Sequence, residues 1–390
     1  MNIWFHGVRV HWFYNEHLLS TKTFDQVMSV QGAYHFATGI RGNMLGKLIR
    51  VKETAPGKYK FDFSLVTPYM DISMKYNASV LNLDTFGADY FKKSPKILIG
   101  KDGKLQYFRP ANPEAAADQL FQETVAYFRE KGYLKYAVLQ ISDEPWSEKA
   151  QEYIRKRSAH LRKLVSKEDM PRVITAGTVR NRMNLSGAIN IWCPQFPQFN
   201  PADYKNMKKD ESLFFYQCLY KPEFPMYMID RPGIEPRITG TICWKFNAKG
   251  FLYWTSEQWL AGGAGDPVNR AKMKNRWIHE EWGFPFRDNP GDGCFIYPTK
   301  DGVIPSLRAQ YMRDGVEDYE YLAILQKTLG QALKKGKMTA QLRRETDAIL
   351  KIPDHIVKAT NDWTKSEAEL TGFRDKVAEQ IIKLQNRLKK

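Results

Sequence analysis

Short apolar runs and amphipathic stretches alternate along the first two thirds of the chain. β-rich runs recur at 3–12, 33–40, 78–86, 136–143, 172–177, 189–196, 213–220 and 250–256. Each is short and bounded by turn residues, the pattern of buried strands. Helical periodicity fills most of the gaps. The clearest case is 113–131, with Asn112 as N-cap and Gly132 just past the end. A second helix is predicted over 147–165, capped by Ser147, and others over 21–31, 64–76, 202–209 and 235–248. Eight strands alternating with helices predict the α/β class and a (β/α)8 TIM-like barrel. An open doubly wound sheet is the runner-up, but no Gly-rich phosphate turn follows the first strand. The stretch 41–60 reads as a long exit loop with a hairpin around Pro56-Gly57.

The pattern changes after residue 260. AGGAGDP (261–267) is a breaker cluster. Residues 291–311 read as short β elements joined by Gly, Pro and Asp turns, and from Gly315 onward the period is helical, with further helices at 338–351 and 363–388. Leu322, Ile324, Leu325, Leu329 and Leu333 are expected to form one apolar face. The organisation predicted is a catalytic barrel over 1–260, a short β/turn region over 261–325 packed on it, and basic C-terminal helices over 326–390.

Composition sharpens this picture. The 390 residues carry 59 Lys+Arg against 43 Asp+Glu, a net +16. A surplus of this size is shared by nucleic-acid binders. Residues 327–390 alone hold a net +7, so much of it is a solvated helical face. With no RRM, KH, helix-turn-helix or C2H2 motif, no nucleic-acid partner is expected. An apolar share of 43% supports a packed core, and no run is long enough for a membrane span. Cys193, Cys218, Cys243 and Cys294 are too dispersed for a local metal or redox motif, and three lie in apolar runs, so they read as small buried hydrophobes. Among the seven His, no HExxH occurs; His6, His11 and His17 are a weak metal candidate, and no metal or cofactor is expected. The N-terminus lacks the profile of a signal peptide, leaving a cytoplasmic chain or a mature form of a periplasmic or secreted one.

Aromatic residues are the more pointed signal: 22 Phe, 20 Tyr and 10 Trp. Barrel active sites lie at the C-terminal strand ends. The fourth strand runs YAVLQISDEPW, and period two places Val138, Gln140, Ser142 and Glu144 on one face, opposite apolar Ala137, Leu139 and Ile141. Glu144 is therefore expected to enter the cleft with Asp143 at the rim. Two adjacent carboxylates split their pKa values, which suits acid/base work. The same Asp-Glu-Pro also reads as a helix N-terminus offsetting the dipole. Other strand ends offer Asp84, Trp192, Tyr216, Tyr253 and Trp254, and the first loop Glu16 and His17. The aromatics read either as sugar-stacking rings or as core layers.

ISDEPW, followed by LFFYQCLYKPEF, GFLYWTSEQW, GDGCFIYP and IPSLRAQYMRDGVEDYEYL, resembles glycoside hydrolase family 123 and its relatives with the C-terminal domain of unknown function 4091. The resemblance runs from about Tyr59 to Leu325, with a looser match through the Glu16-His17 loop; the family's N-terminal β-sandwich has no counterpart here. It implies a retaining β-N-acetylgalactosaminidase acting on a glycan through the substrate's own 2-acetamido oxygen. By motif position, Asp143 orients the acetamido N–H and Glu144 is general acid, then base. Tyr216 or Tyr253, chosen by strand-end position, would hold the acetamido carbonyl. Alternatives are a glycosidase for a non-acetamido or acidic glycan and a non-catalytic carbohydrate-binding protein.

Overall fold

The computed structural model describes residues 2–3, 42–44, 49–64, 66–75, 80–83, 96–99, 105–108, 110–177, 182–219, 221–256, 289–298 and 303–389. Eight parallel strands form one sheet: β1 (Asn2–Ile3), β2 (Gly42–Met44), β5 (Val80–Leu83), β8 (Ala137–Gln140), β9 (Arg172–Ala176), β10 (Ile191–Cys193), β11 (Ser212–Tyr216) and β12 (Gly250–Tyr253). From β2 onward each pairs with the next in chain order, and the last returns to the first through Asn2↔Leu252 and Ile3↔Tyr253. Cα atoms of β1 and β2, the two ends of the sheet order, come within 8 Å of each other and bring the ring round. A closed order of parallel strands is the signature of the predicted barrel. Its second strand lies at 42–44 rather than in the 33–40 run, which falls outside the described residues.

Two hairpins interrupt the alternation. β3 (Arg50–Ala55) and β4 (Lys58–Asp62) turn at Pro56-Gly57 as predicted, with Gly57 at φ +72°. β6 (Lys96–Ile99) pairs antiparallel with β7 (Leu105–Phe108), a hairpin that the eight-run reading passed over. Helix α1 spans Val66–Lys75, α2 Pro113–Glu130, α3 Glu148–Leu161 and α4 Ile234–Lys245. The caps are those read from the sequence: Asn112 Oδ1 accepts from Ala115 N, Ser147 Oγ from Ala150 N, and Gly132 takes φ +71°. The helix expected over 202–209 is only a 3₁₀ turn at Pro201–Tyr204.

Strand alternation sorts the core into two layers. Val138, Ile174, Ala176, Ile191, Cys193, Phe214, Tyr216, Cys218 and Leu252 cluster inside the ring. Ala137, Leu139, Ile141, Val173, Trp192, Leu213, Phe215, Phe251 and Tyr253 belong to the larger layer under the helices. All four cysteines are free and buried.

Beyond the ring, β13 (Ile296–Pro298) and β14 (Val303–Pro305) form an antiparallel pair, followed by α5 (Leu307–Lys334), α6 (Ala340–Leu350) and α7 (Glu367–Lys389). α5 packs along α4 so closely that a Cβ on Gly240 would sit 1.8 Å from the Gly315 carbonyl oxygen. Arg237 of α4 bridges to Asp318 of α5 at 2.8 Å and donates to Thr371 of α7 at 3.0 Å. Trp244 Nε1 and Lys245 Nζ bond the Leu350 and Ile352 carbonyls. α4 is thus covered on both sides, with Ile234 through Cys243 all buried. On α5, Leu322, Leu325 and Leu329 face inward as predicted, but Ile324 and Leu333 are exposed. Ile324 is rotated off the face that 322, 325 and 329 share, whereas Leu333 lies on that face but in the last turn of the helix, which ends at Lys334.

Candidate active site

The site is built where β8 ends. The ladder stops at Gln140, and Ile141 through Trp146 connect it to α3. α3 is capped by Ser147 with Glu148 in its first turn, so Asp143 and Glu144 lie outside the helix and are not its cap. Glu144 occupies left-handed backbone at φ +41°, unusual for a residue with a side chain. Three contacts hold it there. Glu144 N donates to Ala176 O at 3.1 Å, Trp146 N donates to Glu144 O at 2.8 Å across a three-residue turn centred on Pro145, and Gln151 Nε2 bonds Pro145 O. Gly177, at φ +84°, ends β9 directly against it: a Cβ there would come within 3.2 Å of Glu144 Cα and Cγ.

The turn delivers both carboxylates to the inner mouth of the ring. Tyr216 Oη, at the end of β11, donates to Glu144 Oε1 at 3.2 Å, and Trp146 Nε1 reaches Glu144 Oε2 at 3.4 Å. Asp143 Oδ1 accepts from Gln140 Nε2 at 2.9 Å. Asp143 keeps a solvent-exposed edge, yet the surrounding walls thin its water. This desolvation, and then the charge of Glu144, push its carboxyl up to about 6. The neighbours are uncharged, and Tyr216 donates while Cys218 accepts. Burial raises the Tyr216 phenol far above its usual range and the Cys218 thiol to about 12. Tyr216 Oη lies 2.9 Å and Gln195 Nε2 3.3 Å from Cys218 Sγ. The arrangement offers one carboxyl for proton transfer and another to accept a hydrogen bond.

A second layer comes from beyond the eighth strand. Asp292 is fully buried between Gly291 and Gly293, both at positive φ. Its carboxylate accepts from Leu219 N at 3.0 Å, Trp254 Nε1 at 3.1 Å and the Tyr253 hydroxyl. Burial raises its pKa. Arg308 of α5 ties the same loop down through the Gly291 and Cys294 carbonyls at 2.8 and 2.6 Å. Asp292 therefore braces the ends of β11 and β12, and its saturated oxygens leave nothing to offer a substrate.

Of the residues singled out in the sequence, the structure brings Asp143, Glu144 and Tyr216 together, with Trp254 packed against the inner cluster. Trp192 and Tyr253 point into the layer beneath the helices. Glu16, His17 and Asp84, and the histidines His6 and His11, lie outside the described residues. Sequence reasoning passed over Trp146, Gly177, Cys218 and Asp292. The Gly-Asp-Gly signal was visible for the last, but nothing local linked it to the strand ends. Among the described residues, no group of three His, Cys, Asp or Glu side chains is placed to hold a metal, and no helix is long and apolar enough to cross a membrane.

Paired carboxylates at the C-terminal rim of a (β/α)8 ring are the equipment of a barrel glycosidase. The chain belongs to glycoside hydrolase family 123: the model of that family's catalytic domain matches residues 9–325, and the protein is a glycoside hydrolase. A family 123 glycoside hydrolase from Clostridium perfringens, studied for glycolipid glycan hydrolysis, is similar in fold, with a TM-score of 0.61 and 13% identity over 99% of this chain and 68% of that one. The endo-beta-1,4-mannanase from Thermotoga petrophila gives a TM-score of 0.40 at 11% identity, over 76% and 74% of the two chains. No curated protein matches the sequence.

Proposed function

We propose that the protein is a retaining β-N-acetylgalactosaminidase-like enzyme that uses the substrate's 2-acetamido oxygen as nucleophile. The observation behind this reading is the placement of two adjacent carboxyls at the strand-end rim. Glu144 lies between the Tyr216 hydroxyl and the solvent-side indole N–H of Trp146, and Asp143 sits beside it, bonded to Gln140. Asp292, the other carboxyl at these strand ends, is sealed and saturated, which makes it a poor nucleophile. In the scheme, the acetamido oxygen attacks the anomeric carbon as the glycosidic C–O bond breaks and Glu144 protonates the departing oxygen. Asp143 accepts the acetamido N–H and balances the charge of the oxazolinium-like intermediate. Glu144, now a carboxylate, takes a proton from water, whose oxygen attacks the anomeric carbon; the ring opens and the acetamide is restored with net retention. Of the two tyrosines, Tyr216 is the candidate to hold the acetamido carbonyl, since its hydroxyl lies at Glu144, whereas Tyr253 packs beneath the helices with its hydroxyl on Asp292. Trp254 is proposed to line the same cleft.

The test compares aryl 2-acetamido and 2-hydroxy glycosides. Asp143→Asn is expected to abolish turnover of the former, Glu144→Gln to abolish it where the leaving group needs a proton, and a thiazoline mimic of the intermediate to inhibit. Wild-type turnover of 2-hydroxy sugars at comparable rates, or full activity in either variant, rules the scheme out.

A further inference from the structure

Trp146 is half exposed, at 50% of its surface, and is the bulkiest apolar side chain exposed among the described residues. Its position is not that of a floppy surface residue. The Glu144-Pro145-Trp146 turn is closed by the 2.8 Å bond from Trp146 N to Glu144 O, Pro145 is buried, and Gln151 holds the Pro145 carbonyl. An indole this constrained loses little freedom when a ligand covers it.

The two oxygens of Glu144 give the side chain a direction. Oε1 meets Tyr216 on the inside of the ring, where Val138, Ile174, Tyr216 and Cys218 already fill the space. Oε2 meets the indole N–H of Trp146 on the solvent side. An acid protonates the leaving oxygen, so whatever is bonded to that oxygen must lie beyond the acid, away from the filled interior. From these positions we infer that Trp146 is the platform for the leaving group, stacking its indole against the apolar face of a second sugar ring and so selecting glycan over small alkyl aglycones. This rests on the reading of Glu144 as the acid. Aromatic rings offer a large rigid apolar surface with a polar edge, which matches a pyranose with one C–H face and a rim of hydroxyls.

The experiment uses three substrates with the same donor sugar: a disaccharide, its methyl glycoside and the glycosyl fluoride, which has no aglycone ring and needs little acid assistance. In Trp146→Ala the ratio of kcat/KM for disaccharide to fluoride is expected to fall at least tenfold, with the methyl glycoside lying close to the fluoride. Trp146→Phe, which keeps a ring and loses the N–H, is expected to hold that ratio within about threefold of wild type. Equal losses on disaccharide and fluoride, or equal damage from Phe and Ala, would overturn the platform and leave Trp146 as a support for Glu144. Failure of the acid assignment looks different: Glu144→Gln then keeps its disaccharide activity whatever Trp146 does. If 2-acetamido donors are not turned over at all, the same three leaving groups on a 2-hydroxy donor give the ratio.

Discussion

The Tyr216 hydroxyl meets Glu144 Oε1 at 3.2 Å although the residues are 72 positions apart in the chain. The same oxygen lies 2.9 Å from Cys218 Sγ, so one phenolic proton faces two acceptors. While Glu144 is ionised the proton belongs with the carboxylate; once Glu144 carries its own proton, the sulfur can take it. A hydrogen bond to a charged group contributes about 1.5–3 kcal/mol. Tyr216→Phe is therefore expected to lower kcat about 10- to 100-fold with little change in melting temperature. Cys218→Ser, which keeps an acceptor in place, is expected to cost about threefold or less, and steady-state kinetics with calorimetry checks both.

Gly177 faces Glu144 so closely that a Cβ would fit only if Glu144 shifted by a few tenths of an ångström. Gly177→Ala forces φ +84° on a residue with a Cβ and puts that atom 3.2 Å from Glu144 Cα and Cγ. Left-handed backbone costs roughly 1–2 kcal/mol for a non-glycine residue. Denaturant melts should show a loss of that size. The kcat should fall further than stability alone explains, about tenfold, because the displaced atom belongs to the acid. Full activity would mean that Glu144 tolerates movement.

The Asp143 carboxyl is pushed up to about 6 in the folded protein, by desolvation and then by the charge of Glu144. An aspartate in an unfolded chain titrates near about 4. The native state thus holds this proton more tightly, and the contribution to stability is complete below about pH 4 and lost as pH rises through about 6. Asp143→Asn cannot ionise, so it should melt higher than wild type at pH 7 and equally at pH 4. The wild-type rate on 2-acetamido substrates should decline on the acid side with a midpoint near 6, since only the carboxylate accepts the acetamido N–H. A flat profile down to pH 5 would count against that role.

The contact between α4 and α5 depends on two glycines. A Cβ on Gly240 would lie 1.8 Å from Gly315 O, and one on Gly315 would lie 2.3 Å from Arg237 O. Both obstacles are backbone, which cannot swing aside. Gly315→Ala is expected to destabilise the protein by about 3 kcal/mol or more, measured by denaturant unfolding. An unchanged midpoint would show that the helices can separate at small cost. The same interface accounts for the Arg313–Leu322 block that carried the family resemblance. Gly315 permits the approach, Asp318 pairs with Arg237, Tyr319 bonds the Ala248 carbonyl, and Arg374 of α7 lies over Tyr321. That block clamps the C-terminal helices to the ring.

Much of this was legible in the chain. Caps, hairpin turns and strand periodicity are local, so Asn112, Ser147, Gly132 and Pro56-Gly57 could be placed from their neighbours alone. Period two also put a polar gradient, ending in Asp143 and Glu144, at the end of the fourth strand. The regular alternation did not reach Glu144: the ladder stops at Gln140, and a left-handed turn aims the side chain instead. Periodicity states that neighbouring residues face opposite ways. Which way is inward was decided when the ring closed, and it sent Tyr216 inside while Trp192 and Tyr253 packed beneath the helices. α4 shows the same limit, since a helix covered on both sides has no polar stripe to read. Asp292 and Gly177 matter only through partners far along the chain. Local sequence determined the elements and the carboxylate pair; the path of the chain through space decided which residues meet it, because those contacts join segments whose separation no local pattern encodes.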